Sequence, residues 1–129
     1  MDEIPKIKPE IKFIAENEDS YALLCGRLKE MEFDDTFLEI CVRKKFLNVS
    51  IGYNDYARRW YLEEVLDDFL GRIPFWNDDS FAQFVLENKI KFILCIVVYQ
   101  YGTYPGMSIG HKELSVLTKF NGDLDFDIY

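Results

Sequence analysis

The sequence predicts an α+β fold, with a single mixed β-sheet of about five strands and helices packed mainly on one face. Three stretches carry that reading. Residues 89–101, KIKFILCIVVYQY, are apolar from Ile90 to Tyr99 except at Lys91. β-Branched and aromatic residues dominate this run and a Gly/Pro-rich segment closes it, so it reads as a strand covered on both faces and central to the sheet. Residues 62–70 place Leu62, Val65, Leu66, Phe69 and Leu70 at helical spacing, opposite Glu63, Glu64, Asp67 and Asp68. Residues 123–129, DLDFDIY, alternate between acidic and apolar with the period of a half-buried strand.

In chain order, residues 1–20 are polar and hold Pro5 and Pro9, which predicts an N-terminal arm ahead of a single domain over 21–129. Ile11, Phe13 and Ile14 give that arm at most a short edge strand or a helical turn. Residues 21–28, YALLCGRL, read as a strand, and 30–35 as a charged connection. Thr36 opens a helix, because Thr36 and Glu39 have the spacing of a capping box; Phe37, Ile40, Cys41 and Lys44 follow at helical spacing. Leu47, Val49 and Ile51 alternate with Asn48, Ser50 and Gly52 as a strand. Asn54-Asp55 tolerates the positive φ of a tight hairpin turn, after which 56–61 return as the partner strand.

Gly71 is placed to cap the 62–70 helix, and Pro74-Phe75-Trp76 is a break. Asp79 or Ser80 caps a short helix with Phe81, Phe84 and Val85 facing inward. Beyond the 89–101 strand, a loop with three glycines leads into helical periodicity over 111–121, ended by Asn121-Gly122. The spacing of Phe37, Ile40, Leu47, Val49 and Ile51 recurs in Leu114, Leu117, Leu124, Phe126 and Ile128, which suggests a strand-helix-strand duplication over 21–53 and 89–129.

A chain of 129 residues makes one domain with a real core, and 49% hydrophobic content with 16% aromatic excludes a disordered chain. Fifteen Lys and Arg against 23 Asp and Glu leave a net charge of −8. Such a field repels nucleic acid and anionic lipid and steers a basic partner in, although it also serves to keep an aromatic-rich chain in solution. The first residues lack the pattern of a signal peptide, and the 89–101 run is too short to span a membrane. Cys25, Cys41 and Cys95 are odd in number, widely spaced and set in apolar segments, as expected of reduced, buried thiols in a cytoplasmic protein. No paired Cys or Cys/His spacing predicts a metal, and no motif predicts a cofactor.

The ending, residues 113–129 with sequence ELSVLTKFNGDLDFDIY, resembles that of an uncharacterised bacterial domain family whose members close with a helix, a small-residue turn and Leu-Asp-Ile-Asp-Ile-Tyr. Leu124, Asp125, Asp127, Ile128 and Tyr129 match that ending and Phe126 replaces its aliphatic residue; Trp60 is similar to the family's mid-chain tryptophan. The likeness covers about half the chain, the first half departs from it, and it implies a fold without an activity.

Catalytic signals are incomplete. His111 is the only histidine and lies at a helix start near Ser108, but no Gly-x-Ser-x-Gly elbow surrounds that serine, and a solvated histidine is the plainer reading. The glycines before Lys112 do not make a phosphate loop, because the Gly-Lys-Ser/Thr ending is absent. Arg58 and Arg59 beside Trp60 read as exposed hairpin residues, with phosphate binding as the alternative.

Asp123, Asp125 and Asp127 fall on one face of a single strand. They read as a solvated edge that blocks strand addition, as an acidic stripe for a partner's lysines and arginines, or as part of a metal site needing carboxylates from other elements. Asp67, Asp68, Asp78 and Asp79, with Glu63 and Glu64, read as helix surfaces and caps, and would extend the stripe into one negative surface if the fold gathered them. Tyr53, Tyr56, Phe75, Trp76, Tyr101 and Tyr104 fall in predicted loops and turns, where aromatic residues either pack inward or anchor a protein interface.

These features predict a non-catalytic acidic binding protein. In general character it resembles the bacterial immunity proteins, including those of contact-dependent inhibition, that neutralise a cognate toxin nuclease by blocking its basic surface. The expected partner is thus a basic protein, a toxin domain, with neither nucleic acid nor membrane engaged. The alternatives are a small-molecule-binding protein or enzyme built on the 103–111 loop with Ser108 and His111, and a structural subunit of a larger assembly.

Overall fold

A strand from the N-terminal segment holds the middle of the sheet. In the computed structural model, which describes residues 4–100 and 106–129, six strands form β1 (Lys6–Ile14), β2 (Leu38–Arg43), β3 (Asn48–Tyr53), β4 (Ala57–Arg58), β5 (Lys91–Tyr99) and β6 (Asp123–Ile128). Their order is β2-β3-β1-β5-β6, with β4 paired to β1. The β5–β6 pair is parallel and the others are antiparallel. Four helices, α1 (Glu18–Lys29), α2 (Leu62–Arg72), α3 (Asp79–Glu87) and α4 (His111–Lys119), complete a mixed α+β fold.

The expected arm is therefore the central strand, and the reason is local. Pro9 cannot donate to a ladder, but β3 pairs with β1 only from Glu10 onward and β4 only at Lys6 and Ile7. The Pro9 carbonyl lies 3.1 Å from where a Cβ on Gly52 would stand, so the proline backbone faces the gap between β3 and β4. Its missing N–H costs no ladder bond there.

Other segments differ from expectation for equally local reasons. Residues 21–28 belong to α1: Tyr21, Leu24 and Leu28 are buried at helical spacing, and the Asn17 side chain caps the helix by accepting from the Ser20 N–H at 2.9 Å. Thr36 starts no helix. Its N–H donates to Asp34 Oδ1 at 3.1 Å within a turn, and residues 38–43 extend as β2, where Ile40 and Val42 suit a strand. Asn54 does not turn into a β3–β4 hairpin, because its N–H donates to the Phe37 carbonyl at 3.0 Å and its side-chain amide to the Thr36 carbonyl at 2.7 Å. β4 pairs with β1 instead. With 21–28 helical and 38–43 extended, the two halves share no strand-helix-strand plan.

The 62–70 periodicity is α2, with all five expected residues buried. Gly71 lies inside its last turn, and Ile73 is the C-cap. Asp78, rather than Asp79 or Ser80, caps α3 by accepting from the Phe81 N–H at 3.1 Å. After α4 the chain turns at Asn121 (φ 50°) and passes so close to β5 that a Cβ on Gly122 would stand 2.6 Å from the Phe92 ring and 3.1 Å from its carbonyl oxygen.

One sheet face carries the core. Ile7, Ile11 and Phe13 of β1 lie beside Val49 and Ile51 of β3 and beside Phe92, Leu94, Ile96 and Val98 of β5, all buried. The inward residues of all four helices join the same cluster. Phe75 sits at its centre, fully buried, 4.8 Å from Phe81, 5.5 Å from Phe13 and 6.0 Å from Phe120 between ring centroids. On the other face Ile93, Cys95, Val97 and Tyr99 are only half-covered, so β5 is an interior strand but not one covered on both sides. Among the described residues no helix is long and apolar enough to cross a membrane.

Candidate partner-binding face

The face that the core leaves open is built by the period of two. Leu124 and Phe126 of β6 turn toward the core, so Asp123, Asp125 and Asp127 turn to the open face and are exposed. Register fixes their neighbours. Asp123 lies beside Ile93 and then Lys12, Asp125 beside Cys95 and then Glu10, and Asp127 beside Val97 and then Lys8. An acidic rail thus runs along one edge, a half-covered apolar strand follows, and a mainly basic strand lies beyond. Asp123 makes one exposed ion pair, with Lys91 at 3.8 Å.

An aromatic row closes one end of this face. Tyr99 stacks on Tyr129 with ring centroids 5.2 Å apart and meets Tyr56 edge-on at 5.4 Å, and the Lys8 ammonium lies 5.6 Å from the Tyr56 ring. Backbone bonds from the Tyr129 N–H to the Val98 carbonyl (2.8 Å) and from the Gln100 N–H to the Tyr129 carbonyl (3.1 Å) hold the last residue against β5. Tyr129 itself is 65% exposed. Carboxylates two residues apart along a strand repel one another, a cost that cations from outside relieve. The three cysteines are half-buried rather than buried, and Cys95 is so because it faces the half-covered side of β5. Burial there still pushes its thiol pKa to about 11, with Lys12 pulling down and Glu10, Asp125 and Asp127 pushing up.

The remaining acidic candidates do not join this rail. They lie on or beside helices that cover the opposite face, so no single negative surface gathers all seven aspartates. Asp78 is occupied as the α3 cap, and Asp79 pairs with Lys119 at 2.8 Å. Asp68 accepts from the Tyr53 hydroxyl at 2.5 Å and from Arg72 Nε at 3.0 Å. Arg72 reaches on to Asp34 at 3.4 Å and lies over the Phe37 ring at 3.7 Å. This network ties α2 to the turn that leads into β2. Burial and then the Asp68 bond push the Tyr53 hydroxyl pKa well up. Burial raises the Asp68 carboxyl, but Arg72 and Tyr53 outweigh it and hold the group below the ordinary aspartate range.

Asp67 meets Glu113, which is 1% exposed; burial, then the bond to Asp67 and the nearby Glu63, push the Glu113 carboxyl up. Of the aromatic candidates, Phe75 is core, Tyr53 is buried in the Asp68 network and Trp76 packs against the core. Tyr56 lines the open face, and Tyr101 and Tyr104 lie outside the described residues. Tyr99 and Tyr129, absent from the expected set, share the face parity of Cys95 and Asp127, which is the signal that finds them.

His111 and Ser108 are both exposed and share no hydrogen bond among the described residues. Ser108 instead lines a cleft of about 530 Å³ with Tyr61, Glu63, Glu64 and Asp67. Arg58 and Arg59 line a second cleft of about 530 Å³, in which Asp55, Glu64 and Asp68 offset their charge. Among the described residues no three His, Cys, Asp or Glu side chains converge to hold a metal ion. Compared with models of known protein families, with curated proteins and with solved structures, the chain finds no match.

Proposed function

We propose that this protein is a non-catalytic binding module that docks a basic protein surface along β6, in the manner of an immunity protein blocking the substrate-binding surface of a toxin nuclease. One observation supports this reading above the others: Asp123, Asp125 and Asp127 stand exposed in a row beside the half-covered Ile93, Cys95 and Val97, with Tyr99 and Tyr129 at the end. Carboxylates at an edge accelerate encounter with a cationic partner, and aromatic rings beside apolar surface slow its release. The lysines of β1 add direction, since they repel a basic partner from the middle of the face and favour contact at the β6 edge.

Affinity capture from the native cells tests the proposal. The wild-type chain should retain a basic protein that elevated salt releases, whereas the Asp125→Lys/Asp127→Lys variant should not retain it, with unchanged circular dichroism. Retention of the same partner by the variant would remove the rail from the mechanism. Loss of the partner in His111→Ala would favour the loop-based alternative.

A further inference from the structure

The opposite edge of the sheet has a different chemistry. β2 has β3 as its only strand neighbour among the described residues, so its outer side is open. Along it run Glu39, Ile40, Cys41, Val42 and Arg43, with Ile40 40% and Val42 58% exposed on the core side of the sheet. Behind them Cys25, Met31, Phe33 and Val49 line an apolar groove of about 430 Å³, and Phe46, just past the strand, is 64% exposed. Such an edge invites another strand.

We infer that β2 pairs with β2 of a second copy, antiparallel about a twofold axis at Cys41, to form a homodimer with one continuous sheet. The strand is self-complementary about that residue. Glu39 of each copy falls opposite Arg43 of the other, and Ile40 opposite Val42, so both charge pairs and both apolar pairs close at once.

Hydrogen-bond parity agrees. The Asn54 N–H donates to the Phe37 carbonyl in the β2–β3 register, so the odd residues of β2 bond to β3 and the even ones turn their N–H and C=O outward. Ile40 and Val42 are thus the residues free to exchange backbone bonds, and the Ile40–Val42 pairing uses both. The two Cys41 residues then meet as a non-hydrogen-bonded pair, about 4.5 Å apart at Cα. No other register about β2 matches both charges. The dimer leaves the two β6 rails at its far ends, open to partners.

Sedimentation equilibrium in the micromolar range tests this directly. Wild-type protein should form a dimer. Glu39→Arg and Arg43→Glu, each of which sets like charges opposite one another twice, should weaken association by about tenfold or more. Mixing the two variants should restore a one-to-one dimer. Independently, a Cys25→Ser/Cys95→Ser chain treated with diamide should become a disulfide-linked dimer, its two Cys41 thiols giving two electrons and two protons to the reagent. A wild-type monomer, single variants that dimerise as well as wild type, a mixture that stays monomeric, or no cross-link through Cys41 would each overturn the inference.

Discussion

At one edge of the sheet β2 exposes Ile40 and Val42 between Glu39 and Arg43; at the other, β6 sets Asp123, Asp125 and Asp127 along its open face. The consequences for a second copy are opposite. Antiparallel self-pairing of β2 brings glutamate to arginine, whereas the same operation on β6 about Asp125 brings aspartate to aspartate three times. One edge thus carries a charge pattern complementary to itself and the other a row of like charges, which a surface of opposite charge would match. The contrast teaches that two edges of one sheet can differ in what they would pair with through side-chain chemistry alone.

The middle of the sheet, not its edges, should hold the fold together. Phe92→Ala, which empties a fully packed site stacked on Phe120 at 4.6 Å, should cost about 3–5 kcal/mol in chemical denaturation. Ile40→Ala at the β2 edge should cost within about 1 kcal/mol in the monomer. Comparable losses at the two positions would mean that the edge carries stability and is not a spare surface. A smaller effect on folding but a visible one on association is expected when the guard is removed. Asp125→Val/Asp127→Val should leave stability within about 1 kcal/mol while light scattering reports growth beyond a dimer. A variant that keeps the wild-type size would show that the aspartates guard nothing.

Much of this contrast is legible in the amino-acid sequence, and its gaps have physical causes. The β6 alternation and the α2 stripe announce themselves because each is apolar on one side by its own period, and the β5 run because β-branched and aromatic residues fill both of its faces, although only one of them is buried. β1 is hidden by Pro9, since the gap that makes a proline harmless belongs to the ends of β3 and β4, far away in sequence. β2 was disguised because Thr36 and Glu39 mimic a cap, while the strand that specifies it, β3, lies across a turn. Of the candidate site, the acidic rail was readable from alternation alone. The separation of Asp67, Asp68, Asp78 and Asp79 from it was not, because which side of a sheet a helix covers depends on tertiary packing.

The two sides should also part company with pH, in the smallest of the effects expected. Asp68, on the α2 network leading to β2, has its folded pKa below the ordinary value of 3.8. Its contribution is present above that value and fades as pH falls through the folded pKa, so Asp68→Asn should blunt acid destabilisation. Glu113, on the helix leading to β6, has its folded pKa above the ordinary 4.5. Its contribution is full below 4.5 and is lost as pH rises through the folded pKa. Glu113→Gln should therefore raise the melting temperature at pH 7 and lose that advantage below pH 4.5. Thermal melts at both pH values check the pair; identical pH profiles for the two variants would contradict the assignment.

The measurement closest to the central claim is a calorimetric titration of the captured basic partner into wild-type protein and into Asp125→Lys/Asp127→Lys, at two salt concentrations. The rail at β6 predicts a wild-type affinity that falls with salt, and a variant affinity about a hundredfold weaker and nearly insensitive to salt. Equal affinities with equal salt dependence would mean that the partner binds elsewhere and that the acidic edge serves only to keep other strands away.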